Sequence, residues 1–135
     1  MSDYTVQGSI PVYRKAYPIK EKQTGIYAFT MKDEAGAVIP AASLTSLTLT
    51  VYSLQSGAIV NSRNAQNVLN ANNVSVSEGG VVTWIQQIAD VTILNDALTE
   101  ETHRCLFVFG WNSGGNPRSY PHELDLVIEN LGKLT

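Results

Sequence analysis

The chain has a single cysteine, Cys105, so neither an intrachain disulfide nor a cysteine-rich zinc site can be built from it. Charge is also scarce: Asp, Glu, Lys and Arg make up 16% of the residues, against about 25% in an ordinary globular domain. What charge there is sums to -3, and the cations are scattered. Their only cluster, Arg14, Lys15, Lys20 and Lys22, is broken by Glu21. Nucleic-acid binders draw most of their affinity from phosphate neutralisation by a basic face, so no nucleic-acid partner is expected. There is no run of 18 apolar residues, so no membrane-spanning helix is expected. The N-terminus, MSDYTVQGSI, lacks the basic start and apolar stretch of a secretory signal, which points to synthesis in a cytoplasm.

Chemical signatures are missing as well. No Gly-rich phosphate loop precedes a helix, and there is no nucleophile elbow, zinc-helix motif or calcium loop. The adjacent carboxylates Asp33/Glu34 and Glu100/Glu101 point to opposite faces of an extended chain, so neither pair forms an acid-base dyad by itself. Cys105 lies between Arg104 and Leu106 in an apolar strand, the setting of a small buried residue rather than a nucleophile. No convergent acid, base and nucleophile set emerges, so the expectation is a protein that is not an enzyme, with no cofactor and no metal.

What the chain does have is enough apolar material, 44% of 135 residues, for one core, and a large neutral polar complement of 38 Ser, Thr, Asn and Gln residues. The recurrent signal has period two, the mark of sheets with one buried face. Tyr27, Phe29 and Met31 share one face of a strand over 25–32, and Asp33-Glu34-Ala35-Gly36 then supplies a turn. Leu47, Leu49 and Val51 point inward from a second strand over 47–53. Ile59-Val60 begins another, Ala65–Leu69 suggests one helical turn, and Val74 and Val76 restart extended structure before the Glu78-Gly79-Gly80 turn. Val82 and Trp84 face one way in a strand over 81–87, and residues 88–98 give no clear pattern.

The last third reads as a hairpin, with strands over 103–111 and 121–130 flanking a nine-residue loop, NSGGNPRSY. Centred near position 116, it sets His103 opposite Glu129 as a cross-strand pair and places His103 and His122 about six residues apart, too far to share a metal. Cys105, Phe107 and Phe109 share one face, Leu106 and Val108 the other, as in a central strand covered on both sides. About seven to nine short strands separated by turns argue for an antiparallel β-sandwich over 25–135. Residues 1–24, with Pro11 and Pro18, read as an edge strand or an extended arm. Tyr4, Tyr13, Arg14 and Tyr17 are its candidate inter-subunit contacts. Trp111, Asn112, Asn116, Arg118 and Tyr120 are a candidate binding loop, either anchoring the hairpin or stacking on a ligand such as a sugar.

Several stretches carry a family resemblance: Asp33-Glu34-Ala35-Gly36 after a strand, Leu47–Tyr52, Ile59-Val60-Asn61-Ser62-Arg63, Gln66-Asn67-Val68-Leu69-Asn70, and the strand around His122-Glu123-Leu124. Over residues 20–131 the chain resembles small Ig-like β-sandwich structural proteins of tailed bacteriophage virions. The resemblance implies a non-enzymatic component of the capsid surface, neck or tail. Such a component is present in multiple copies and contacts other virion proteins and copies of itself. It carries over no functional residues.

Overall fold

The computed structural model describes residues 16–133, so Tyr4, Tyr13 and Arg14 lie outside the described residues. Eight strands follow in order: β1 (Ala16–Lys20), β2 (Ile26–Thr30), β3 (Leu44–Ser53), β4 (Gln66–Asn67), β5 (Val74–Val76), β6 (Val81–Ile85), β7 (Glu100–Ser113) and β8 (Asn116–Glu129). They form two layers, a five-stranded sheet ordered β1-β8-β7-β3-β4 and a three-stranded sheet ordered β2-β6-β5. This is the strand distribution of an immunoglobulin-type sandwich, with β4 added beside β3. No helix among the described residues is long and apolar enough to cross a membrane.

Alternation builds the core. Leu47, Leu49 and Val51 from β3, Val82 and Trp84 from β6, and Cys105 and Phe107 from β7 are fully buried, joined by Leu124 and Ile128 from β8. Phe107 is the hub, edge-on to Trp84 at 5.7 Å and tilted against Phe29 of β2 at 5.1 Å. Each such side chain contributes about 1.5–3 kcal/mol by leaving water.

Four expectations are corrected. The sandwich is not purely antiparallel: β1 lies parallel to β8, with Tyr17 beside Leu126 and Ile19 beside Ile128. The nine-residue loop does not exist, because β7 and β8 stay paired until Ser113 meets Asn116 across Gly114-Gly115. Both glycines have positive φ, 58° and 84°, the backbone a two-residue type I′ hairpin requires. The tighter turn moves the register, so His103 faces Leu126 and His122 faces Phe107, while Glu129 faces Glu100. Between residues 59 and 73 there is neither a strand at Ile59-Val60 nor a helical turn at Ala65–Leu69. Ile59 makes one isolated bridge to Tyr52, and Gln66–Asn67 is a short strand on β3. Asn61, Ser62, Ala65, Asn70, Asn72 and Asn73 all have left-handed backbone, which interrupts any regular element; Asn tolerates it best. Residues 88–98, unassigned by pattern, contain a short 3-10 turn over Ile88–Val91. Leu106 and Val108 are half-buried on the outer face of β7, sheltered by sheet neighbours.

Candidate interaction surface

Because the hairpin is paired to its tip, the candidate loop residues become strand residues. Trp111 lies across from Arg118 and Phe109 across from Tyr120. Trp111 is 6% exposed and Tyr120 8%. The Arg118 guanidinium sits 5.3 Å from the Trp111 ring centroid and 5.5 Å from that of Tyr120. Its Nη2 donates to Glu34 Oε1 at 2.7 Å and to the Tyr120 hydroxyl at 2.8 Å, and that hydroxyl donates to Glu34. The Tyr120 hydroxyl, the Glu34 backbone N–H and Arg118 together hold the Glu34 carboxyl down at about 2, while burial leads in pushing Tyr120 up. The cluster therefore fastens the hairpin to the turn after β2, where the Asp33 carboxylate accepts from the Ala35 and Ala37 N–H groups at 2.9 Å. Asn112 and Asn116 are exposed at the tip. Of the arm candidates, Tyr17 is in β1, at the edge of the larger sheet.

A second cluster is buried. Arg63, between β3 and β4, is 1% exposed and Asp90, between β6 and β7, is 0% exposed. Arg63 Nε donates to Asp90 Oδ1 at 2.5 Å and Nη2 to Oδ2 at 3.2 Å. The remaining guanidinium hydrogens go to Gln66 Oε1, Gln87 Oε1 and the Asn72 carbonyl. Asp90 also accepts from Asn61 Nδ2 at 3.0 Å and the Gln87 N–H at 2.8 Å. Beside it, His103 Nδ1 lies 3.1 Å from the Asp90 carbonyl oxygen and Nε2 bonds to the Glu101 carboxylate. That carboxylate is further cradled by the Leu94 and Asn95 N–H groups, each at 3.1 Å. Every charged group here is satisfied by a neighbour, so the network pins three loops rather than presenting a reactive atom. Cys105 is buried in the same layer and burial pushes its thiol well up, away from the nucleophilic thiolate. Among the described residues no His, Cys, Asp and Glu side chains converge as a metal-ligand set.

Sequence reasoning missed this network. The His103–Glu101 pair was within reach, since residues two apart share a strand face. Arg63 and Asp90 were not, because 27 residues of irregular chain separate them.

The sandwich edges differ in protection. Unpaired strand edges invite another chain, and short length, proline, lysine or local capping discourage it. β4 has two residues. β5 has three, and its outward donors are already used: Val74 N–H by the Ala71 carbonyl at 3.1 Å, Val76 N–H by Asn70 Oδ1 at 2.9 Å. β1 carries Pro18 and Lys20. β2 has none of these devices. Its sequence, IYAFT, is uncharged and Ile26 is 71% exposed. Gln86 N–H donates to the Gly25 carbonyl and Met31 N–H to the Gly80 carbonyl, so alternation turns the N–H and C=O of Ile26, Ala28 and Thr30 away from β6. Among the described residues nothing pairs with that row. Beside it, between β2 and β1, lies a cleft of about 310 Å³ lined by Ile19, Gly25, Tyr27, Gln86, Leu124 and Leu126.

No family model matches the chain, and no curated protein matches it.

Proposed function

We propose that the chain is a non-enzymatic structural protein that works by docking through its outside: an Ig-like sandwich assembling in multiple copies, with copies of itself and other proteins, on the capsid surface, neck or tail of a tailed-phage virion. The observation that carries the docking reading is the β2 edge, an uncharged strand whose outward row no described residue pairs with, beside a cleft of mixed polar and apolar lining, where the other edges among the described residues are blunted. The virion setting is supported by the resemblance of the segments between residues 33 and 124 to phage sandwich proteins. A low charge content supports both, since neutral hydrogen-bonding groups pack between subunits without burying unpaired ions. The non-enzymatic reading is supported by the internal saturation of Arg63, Asp90, Glu101 and His103. A carbohydrate would need the Trp111 and Tyr120 rings, which Arg118 covers.

The test is mass spectrometry of purified particles made by the genome that encodes the chain. Multiple copies per particle are expected, and a chain found only in the unassembled lysate fraction overturns the reading. A chain lacking residues 1–15 is the right truncation for assembly work, because β1 begins at Ala16 and belongs to the sheet.

A further inference from the structure

We infer that the outer edge of β2, which no described residue pairs with, receives residues 5–9 of a neighbouring copy as an added antiparallel strand, with Val6 and Ile10 of that copy turned into the cleft. The inference rests on the assembly reading and names the partner that reading leaves open.

The donor is identified by pattern. From Tyr4 to Tyr13 the sequence YTVQGSIPVY contains no charged residue, and from 4 to 10 its even positions are Tyr4, Val6, Gly8 and Ile10 while the odd ones, Thr5, Gln7 and Ser9, are polar. That alternation is what a strand with one buried face requires. It matches an acceptor that is also uncharged and offers an outward row at Ile26, Ala28 and Thr30. β-strand addition takes its affinity from such main-chain ladders and its specificity from pockets for alternate side chains.

Proline narrows the register. Pro11 has no N–H to give, so it cannot lie opposite Ile26, Ala28 or Thr30, where the added strand must donate to β2. Pairing Thr5 with Thr30, Gln7 with Ala28 and Ser9 with Ile26 meets that condition. It also sets Val6 beside Phe29, Gly8 beside Tyr27, and Ile10 beside Gly25. Phe29 and Tyr27 are the inward residues of β2, packed against the core. Gly25 lines the cleft together with Gln86, whose Oε1 accepts from the Gly25 N–H at 3.1 Å, so Ile10 would enter beside that side chain. Thr5, Gln7 and Ser9 then lie on the outer face with Thr30, Ala28 and Ile26.

A neighbour supplies this strand better than the chain itself. β1 and β2 have five residues each and the chain reverses between them, with Ile19 across the cleft from Tyr27 and Ala28. Ala16 therefore stands toward the Thr30 end. To occupy its own edge in this register the chain would run down β2, return, and run down again along β8, two reversals within residues 10–15. A second copy needs none.

The test uses full-length chains and sedimentation velocity over a range of concentrations, with circular dichroism to confirm folding. One variant, Val6→Asp with Ile10→Asp, disables the donor. The other, Ala28→Pro, removes the central outward N–H of β2 and no bond to β6; Ile26→Lys with Ala28→Lys replaces it where the proline variant does not fold. Each alone is expected to associate at least about tenfold more weakly than the parent. Mixed in equal amounts they are expected to form a one-to-one pair, because one brings an intact edge and the other an intact donor. Two other outcomes overturn the inference: a donor variant that associates like the parent, which means edge-to-edge pairing of β2, and a mixture that stays monomeric, which means docking on the chain's own edge or none. A chain that is monomeric in solution yet abundant in particles sinks this inference and leaves the assembly reading standing.

Discussion

The two sheets of this sandwich solve different problems. The five-stranded sheet contains β7 and β8 at 14 residues each and carries all the charged strand residues. They are largely matched there: Arg104 pairs with Asp125 at 2.9 Å, Lys20 with Glu129 at 2.7 Å, Arg118 with Glu34 at 2.7 Å. The three-stranded sheet has no strand longer than five residues and no charge in any of them. Its outer face shows the cross-strand pair Ile26 and Ile85 at 71% and 51% exposure. A sheet with matched ions on its outside is suited to water. One with an exposed aliphatic pair and an edge that no described residue pairs with is suited to another polypeptide. The smaller sheet also leans on the larger, holding to it through Phe29 and Trp84 against Phe107. On the proposed reading, scaffold and docking surface are separate layers of one fold.

The largest way to break that division is to cut what fastens the connections between layers. Asp90→Ala leaves the Arg63 guanidinium buried without its carboxylate, and loss of one partner of a buried pair costs about 3–5 kcal/mol. The urea midpoint should fall accordingly. The double change Arg63→Met with Asp90→Leu should recover much of it, since an apolar pair of similar volume removes the stranded charge. If Asp90→Ala alone is silent, the network does not fasten these loops.

The same comparison explains what was legible in the sequence. Period-two alternation located β2, β3, β6 and the inward faces of β7 and β8, because those strands bury one face and expose the other. Residues 59–73 were misread because Val60, Val68 and Leu69 look like element residues, while the segment is held by tertiary bonds, Arg63 to Asp90 and the Ala65 N–H to Thr50 Oγ1, between left-handed residues such as Asn61, Ser62 and Ala65. The hairpin was misread for the opposite reason. NSGGNPRSY has loop composition, yet Gly114-Gly115 alone makes the turn and Asn112, Pro117 and Ser119 continue the strands. Trp111 and Tyr120, singled out as a possible contact surface, turned out to be covered from a distance by Arg118 and Glu34. The exposed edge of β2 was hidden from sequence, since which strand ends a sheet depends on topology.

A smaller effect probes the seam between the layers. His122 of β8 stacks on Phe29 of β2 with centroids 3.8 Å apart and planes 4° apart, and its Nε2 meets the Tyr27 hydroxyl at 2.6 Å. Burial lowers the His122 pKa to about 4, so the folded seam holds it neutral. The unfolded chain takes up the proton first as pH falls below its ordinary value of about 6.5. Stability is therefore fully present above that pH and declines as pH falls toward 4. With the ring partly reached by solvent, the loss is on the order of 1–2 kcal/mol. His122→Phe keeps the stack and removes the titration. Between pH 7 and 4 the parent should lose that much more stability than the variant in denaturant titrations, and parallel curves would show that the seam does not titrate.

The smallest expected effect lies at the far end of the larger sheet. Gly114 has φ 58° and a Cβ built there meets nothing within 4 Å. Asn-Gly is the favoured pair for a type I′ turn, and replacing glycine at a compatible position lowers the freedom of the unfolded chain. Gly114→Asn should therefore raise stability by a few tenths of a kcal/mol, read as a small upward shift of the melting temperature. Its value is as a control on the division of labour. The tip belongs to β7 and β8 and contributes nothing to the β2 edge, so self-association should be unchanged. A Gly114→Asn chain that assembles differently from the parent would move the contact surface from the short, uncharged sheet to the hairpin.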